Sequence, residues 1–208
     1  MTSTTHSGGR RPAVAAATVL DTAETLLDHD GFDGISVRRL ADAVGVSRQV
    51  VYTHFGGMNG LLDALHERLS ARLTAAVGAI DATPGTSDYL LAGAAAYRHA
   101  ARRWPELYQL VFERPVPEYT IGADAAAAGL RSFEPIVTMA SEWLQANGRT
   151  RARRAEAIDL ARSMWSSLHG FIVLERVGFA TEAETDRISQ RAIEALLAGW
   201  ISTTPGDL

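Results

Sequence analysis

Cysteine and lysine are both absent from the sequence, in which all twenty basic residues are arginine. The absence of cysteine excludes disulfides, thiolate metal sites and cysteine nucleophiles. The absence of lysine excludes a P-loop lysine and a Schiff-base lysine, and leaves only cations suited to forked contacts with phosphates or base edges. Long apolar runs are missing as well, and the first eleven residues lack the apolar centre of a secretory signal. We therefore expect a soluble protein of the cytoplasm.

The sequence also lacks an excess of positive charge, because its formal net charge is −4. Such a balance argues against a protein that coats nucleic acid indiscriminately, so any contact with DNA must be local. The 208 residues, of which 47% are hydrophobic, suffice for one or two domains with real cores.

The chain reads as all-α. Alanine and leucine dominate, alternating β-branched runs are absent, and glycine or proline clusters separate segments of helical length. Leu20, Ala23 and Leu27 share one face of the first segment, which Gly31 ends. Leucines recur every four residues from Leu61 to Leu73 in the fourth. The pattern predicts helices at about 13–29, 37–44, 48–55, 59–80, 87–103, 105–113, 123–147, 151–177 and 182–203.

The second and third predicted helices have helix-turn-helix spacing. A small residue at Ala41 allows a close helix crossing, Gly45 takes the turn, Ser47 caps the next helix, and Val46 with Val51 anchors it. With Val51 inward, the outward face carries six residues suited to the major groove, where arginine reads guanine and glutamine reads adenine. The alternative is a solvated helix of an ordinary bundle. The six are Arg48, Gln49, Val50, Tyr52, Thr53 and His54.

Residues from about 13 to 66, including ISVRRLADAVGVSRQVVYTHF and LLDAL, resemble the DNA-binding domain of the TetR family of bacterial transcriptional regulators. The resemblance implies base contacts from Arg48, Gln49 and Val50, and phosphate contacts from Tyr52, Thr53 and His54. The chain has Met58 where the family usually has a phosphate-binding lysine. We therefore expect DNA affinity to depend more on Arg10 and Arg11 of the tail and on Arg38 and Arg39 of the second helix. Ser47 is also counted among the DNA-binding candidates.

Two segments of the rest of the chain, residues 102–112 and 164–175, resemble the ligand-binding half of a TetR subgroup with a Trp-His-Gly signature, here spaced as Trp165, His169 and Gly170. The resemblance implies a flexible basic tail at 1–12, a DNA-binding domain at 13–58 and an effector-binding and dimerisation domain at 59–208. Core packing is the alternative for each pocket candidate. These candidates are Tyr97, Trp104, Tyr108, Phe112, Phe133, Met139, Trp143, Trp165 and His169.

A dimer face is expected on the last two helices, because the eighth is apolar nearly all round and the ninth has its own apolar stripe. A monomer core is the alternative explanation of this stripe. The predicted interface residues are Leu168, Phe171, Ile172, Ile193, Leu197, Trp200 and Ile201.

Catalytic motifs are incomplete in this sequence. His66-Glu67 begins a zinc-protease motif but has Ser70 at the last ligand position, and Gly45-Val46-Ser47 begins a nucleophile elbow that ends in Gln49. We therefore expect a protein that is not an enzyme and that needs no metal or cofactor. The resemblance implies a transcriptional repressor that binds an inverted-repeat operator and is released from it by a small, largely apolar effector. A helical enzyme and a helical interaction module without DNA binding are the alternatives.

Overall fold

The computed structural model describes residues 15–113, 116–149 and 154–202, and within these ranges the chain is helical without a strand. The all-α prediction is therefore confirmed. No described helix combines the length and apolar character that a bilayer crossing requires. Arg10 and Arg11 lie outside the described residues. The helices are α1 (Ala16–Asp30), α2 (Val37–Val44), α3 (Arg48–Phe55), α4 (Met58–Gly78), α5 (Ser87–Arg103), α6 (Pro105–Phe112), α7 (Ala123–Ala146), α8 (Arg154–Arg176) and α9 (Glu182–Ser202), with a short 3₁₀ turn at Phe32–Gly34.

Helix α1 packs through a stripe in which Val19, Ala23 and Leu27 are fully buried. The sequence prediction placed Leu20 on this face, but Leu20 is only partly buried. Val19 takes the inner position because it precedes Ala23 by four residues, as Ala23 precedes Leu27. The helix ends as predicted at Gly31, whose backbone φ is 65° and whose N–H donates to the carbonyl of Leu27 at 2.9 Å.

Helix α4 joins the first three helices to the remainder of the chain. Leu61, Leu65 and Leu69 are fully buried along one side of it. Arg68 and Arg72 of α4 both pair with Glu24 of α1. Arg68 makes one N–O contact of 3.0 Å, and Arg72 makes two, of 2.5 and 3.0 Å. Because these ion pairs are partly buried and share one carboxylate, α1 is held against α4 by more than apolar contacts.

Helices α5 to α9 form a second layer, in which α5, α6 and α7 pack against α4, α8 packs against α5 and α7, and α9 packs against α5 and α8. Arg98 of α5 is almost completely buried and donates to Thr185 of α9 at 2.8 Å, while Arg102 binds Glu175 of α8 through two bonds of 2.6 and 2.8 Å. These arginines draw the three helices together at one end. At the other end, the indole N–H of Trp143 donates to Ser87 Oγ at 3.1 Å.

Candidate DNA-binding surface and effector cavity

The turn between α2 and α3 has the geometry that a helix-turn-helix requires. Gly45 adopts φ 76° and ψ 34°, a left-handed conformation that a side chain disfavours. The following residue, Val46, donates its N–H to the carbonyl of Ala41 at 2.9 Å, which closes the end of α2. Val51 is fully buried and fixes α3 against Leu40 in the core.

The opposite side of α3 faces solvent. Arg48, Gln49, Thr53 and His54 are exposed, and 49% of the Tyr52 side chain is accessible. The Thr53 hydroxyl donates to the backbone carbonyl of Gln49 at 2.7 Å, so its one donor is already used and is not available to a phosphate oxygen, which can only accept. The helix therefore presents two side chains with base-reading chemistry beside a phenol.

Two residues at the edge of α3 depart from the sequence prediction. Val50 is half-buried rather than outward, because it lies beside the fully buried Val51 at the contact with α2. Ser47 occupies the cap position of α3, but its side chain makes no capping hydrogen bond; its carbonyl accepts from the N–H of Val50 at 3.0 Å. The Ser47 hydroxyl is exposed at the positive end of the helix dipole, where it can meet a phosphate.

The two arginines of α2 are in different electrostatic states. Arg38 is exposed and lies 3.8 Å from Asp42, a loose pair one turn apart on the same helix. Arg39 donates to Asp30 at 2.6 Å and is thereby tied to the end of α1. Since surface pairs of this kind are weak, Arg38 is the more available of the two for a phosphate contact.

The segment between α3 and α4 depends on glycine. Gly56 and Gly57 have φ values of 71° and 134°, so two successive left-handed residues reverse the chain between the helices. A Cβ atom at Gly60 would lie 1.8 Å from the carbonyl oxygen of Phe55. The end of α3 therefore touches the first turn of α4, so that a movement of α4 is passed directly to α3.

A cavity of about 240 Å³ lies between α4, α5, α6, α7 and α8. Four predicted pocket residues line it, namely Tyr97, Phe112, Phe133 and Trp165. The other wall residues were not among the predicted pocket residues, although Leu73 and Val77 continue the predicted leucine stripe of α4. These other residues are Leu73, Val77, Gly129, Leu130, Ser132, Ile136 and Arg162.

A chain of hydrogen bonds leads away from the cavity wall. The indole N–H of Trp165 donates to the Tyr97 hydroxyl at 2.7 Å, Tyr97 donates to the Tyr108 hydroxyl at 3.0 Å, and Tyr108 lies 2.7 Å from His169 Nδ1. With Tyr108 as the donor of the last bond, His169 Nδ1 accepts, a role that the neutral form of the imidazole can fill. Burial acts in the same sense, since it lowers the pKa of His169 and raises that of Tyr97 to about 12.

Five predicted pocket residues do not line the cavity. Tyr108 and His169 lie behind its wall in the hydrogen-bond chain. Met139 and Trp143 are core residues, 3% and 1% exposed, because α7 turns them toward α5. Trp104 lies under the guanidinium of Arg72, 4.4 Å from the ring centroid. At these positions the aromatic residues and the methionine serve packing. Their spacing along the sequence could not distinguish packing from contact with a ligand.

The residues of the predicted dimer face differ in exposure. Leu168, Ile193 and Leu197 are 4%, 0% and 3% exposed, so their own chain covers them, and Ile172 is buried with them. Phe171 and Trp200 are partly covered, whereas Ile201 is exposed. The sides of α8 and α9 that face away from the core also carry exposed apolar residues, which were not predicted as part of the dimer face. The apolar character of α8 on all sides could have indicated them. The exposed residues of these sides include Gly170, Leu174, Val177 and Ile188.

Comparisons with known proteins agree with this arrangement over nearly the whole chain. Residues 19–65 match the family described as "Bacterial regulatory proteins, tetR family", and residues 90–196 match "Tetracyclin repressor-like, C-terminal domain". An uncharacterised HTH-type transcriptional regulator of Mycobacterium tuberculosis, Rv0681, is 28% identical over 194 residues, which cover 91% of this chain and 83% of that protein.

Two solved structures extend the comparison to the fold. A protein of unknown function from Rhodococcus sp. RHA1 has a TM-score of 0.73 at 28% identity and covers 91% of this chain and 98% of its own. A TetR variant from Acinetobacter baumannii AYE in complex with minocycline has a TM-score of 0.64 at 20% identity, with coverage of 90% and 96%. The matched N- and C-terminal families, the helix-turn-helix and the helical second layer together place this chain in the TetR family of bacterial transcriptional regulators.

Proposed function

We propose that this TetR-family regulator is a repressor that binds an inverted-repeat operator as a homodimer and is released by a small molecule in the cavity between α4 and α8. DNA binding and a response to small ligands follow from the family. The observation that carries the specific proposal is the connection of an exposed reading helix to this cavity through α4. The corresponding division is a basic tail at 1–12, a reading head at 13–58 and an effector and dimerisation domain at 59–208.

Operator recognition is assigned to the exposed side of α3. Arg48 and Gln49 have the donor and acceptor patterns that read guanine and adenine, and both are accessible at the start of the helix. Tyr52 and His54 lie where a phosphate contact would position the helix, supported by Ser47 and Arg38 at the edge. Val50 is a secondary candidate because part of its apolar surface remains accessible to a thymine methyl.

Coupling between cavity and operator is assigned to α4. Leu73 and Val77 line the cavity, while Arg68 and Arg72, on the preceding turns, hold α1 of the reading head. A ligand that displaces the C-terminal half of α4 therefore moves the reading head with it. By linkage, ligand and operator must weaken each other by the same factor, typically about 5- to 150-fold.

Dimerisation is assigned to the exposed sides of α8 and α9. Leu174 and Val177 are 46% and 58% exposed, Ile188 is 39% exposed, and Gly170 permits close approach of a second helix. An apolar surface of this kind is typical of a contact with another protein surface. A second copy of the chain, related by a two-fold axis, would present two reading heads to the two halves of an inverted repeat.

Two narrower assignments belong with this proposal. The subgroup with a Trp-His-Gly signature is supported by Trp165 and His169, whose ring centroids lie 5.8 Å apart on α8, and by Gly170 beside them. A cytoplasmic location follows from the operator as partner, because chromosomal DNA lies in that compartment of a bacterial cell.

The proposal is tested by selecting bound sequences from a random pool of double-stranded DNA with the purified full-length chain. We expect an inverted repeat whose half-sites are about one helical turn apart, or a multiple of it, centre to centre. Titrating the selected operator against a compound panel then tests release. Recovery of no enriched sequence would reject the operator assignment, and stabilising compounds that leave operator affinity unchanged would reject the release mechanism.

A further inference from the structure

The polar groups in the cavity wall use their hydrogen-bond donors within the protein. Trp165 donates its indole N–H to Tyr97 at 2.7 Å, and Tyr97 donates onward to Tyr108 at 3.0 Å. The hydroxyl of Ser132 donates to the carbonyl of Gly129 at 2.8 Å. A ligand in the cavity therefore meets these donors already occupied, and displacing any of them would leave a partner unsatisfied.

Arg162 is the charged residue of the wall and is in a different state. It lies on α8 one turn before Trp165, lines the same cavity and is exposed. Among the residues that the structure describes, no carboxylate lies within ion-pair distance of its guanidinium, not even Asp159 one turn earlier. Glu134 of α7, the neighbour in sequence of the wall residue Phe133, is paired with Arg154 at 2.6 Å. Arg162 thus offers the cavity a fork of donors with a positive charge.

The remaining wall is apolar and sets the size of an occupant. Leu73, Val77, Phe112, Phe133 and Ile136 surround the cavity of about 240 Å³. An apolar cavity of about 150 Å³ accommodates benzene, so this one suits a body somewhat larger than a single ring. Leu130, which is 77% exposed and also lines the cavity, marks its opening to solvent.

We propose that the cavity binds a monocarboxylate with an aliphatic or aryl body, its carboxylate seated on Arg162 and its apolar part between α4, α6 and α7. This inference rests on the proposed effector function and specifies the chemistry of its ligand. A carboxylate supplies acceptors for the guanidinium donors of Arg162, and it matches the guanidinium in charge and in planar geometry. Since Arg162 is exposed, the charge remains hydrated in the empty cavity, and no buried cation has to be stabilised before the ligand arrives.

Calorimetric titration of the full-length protein without DNA tests the assignment. Hexanoate, octanoate and 4-phenylbutanoate are each compared with the primary amide of the same carbon skeleton, so that charge changes while size hardly does. We expect the best acid to bind about tenfold more tightly than its amide, because a charge-assisted bond replaces a neutral one. Arg162→Gln abolishes this preference, whereas the matched control Arg131→Gln, an exposed arginine of α7 outside the cavity wall, retains it.

Several results would overturn the assignment. These are amides that bind as tightly as the acids, an acid preference that survives Arg162→Gln, and failure of all six compounds to bind. Sedimentation of Arg162→Gln is measured in parallel, because a shift toward monomer would assign Arg162 to the subunit contact instead.

Operator titration with the same compounds separates this inference from the proposed function. If the acids bind through Arg162 but leave operator affinity unchanged, the carboxylate site stands and the release mechanism fails. If the neutral amides bind and release the operator while the acids do not bind, the release mechanism stands and the carboxylate site fails.

Discussion

Asp63 of α4 accepts a hydrogen bond from the hydroxyl of Tyr119 at 2.7 Å. The same carboxylate oxygen accepts from the N–H of Gly122, at the start of α7, at 2.9 Å. These bonds connect the first half of α4 to the loop that leads into α7, and α7 supplies Leu130 and Phe133 to the cavity. A ligand can therefore act on α4 through two routes, directly at Leu73 and Val77 and indirectly through Asp63.

The first prediction concerns this second route. Tyr119→Phe removes one bond to Asp63, which lowers the free energy of unfolding by about 1 kcal/mol and reduces the factor by which ligand weakens operator binding. Operator affinity measured with and without saturating ligand gives that factor. Tyr89→Phe, a partly buried tyrosine of α5, is the control and leaves it unchanged. An unchanged factor in Tyr119→Phe would limit the coupling to the direct route.

The second prediction concerns base reading. Arg48→Ala and Gln49→Ala each cost about 1–3 kcal/mol of specific binding and relax the preference at one position of each half-site. Tyr52→Phe weakens binding to all sequences, because it removes a phosphate contact. Binding isotherms on the selected operator and its single-base variants measure both effects, with the exposed Arg187→Ala of α9 as control. Equal losses on operator and random DNA for all three variants would contradict the base-reading roles.

The third prediction concerns the close approach of α3 and α4. Gly60→Ala places a methyl group against the carbonyl of Phe55 and forces the helices apart, at a cost of about 1–3 kcal/mol. Operator affinity falls with it. Gly78→Ala is a matched control at the end of α4, where no atom lies near the added methyl; it changes stability little or raises it by up to about 1 kcal/mol. Urea unfolding distinguishes the two, and equal stability of the two variants would refute the close packing.

The fourth prediction concerns pH. Burial lowers the pKa of His169, so the unfolded chain binds a proton more readily than the folded chain. The contribution of neutral His169 to stability is complete above about pH 6.5 and is lost as pH falls toward the lower folded pKa. Tyr108, Phe112 and Trp165 face the ring, and the Glu113–Arg176 ion pair lies nearby.

His169→Asn, which keeps an acceptor for Tyr108 but does not titrate, reduces the loss of stability between about pH 7 and about pH 5. Urea unfolding at both pH values measures the difference. His99→Asn on the exposed side of α5 serves as control and leaves the wild-type pH dependence largely intact. The same pH dependence in wild type and His169→Asn would show that His169 does not titrate in this interval.

The fifth prediction separates dimerisation from folding. Leu174→Asp introduces a charge on the exposed side of α8 and dissociates the dimer, because burying an unpaired carboxylate in the contact costs several kcal/mol. The monomer remains folded. Leu197→Asp places the same charge in the core of the chain and unfolds it. Light scattering and circular dichroism distinguish the two outcomes, and a Leu174→Asp variant that remains dimeric would move the interface elsewhere.

The sequence alone determined the helical class, the approximate helix bounds and the reading head. These features depend on local rules: the period of apolar residues, glycine at helix ends, and the short separation between Ala41, Gly45 and Val51. The outward direction of Arg48 and Gln49 follows from the burial of Val51, which lies on the same short helix. A local pattern is sufficient here because the residues that define the turn are within ten positions of one another.

Tertiary structure decided which residues line the cavity and which apolar side chains of α8 and α9 stay exposed. Tyr97 and Trp165 line the cavity whereas Trp143 fills the core, although all three are aromatic residues on amphipathic helices. Likewise Leu197 is buried by its own chain while Leu174 is exposed. Periodicity shows that a helix has an apolar side, but which neighbour covers that side, and where packing leaves a void, depends on contacts between residues distant in sequence.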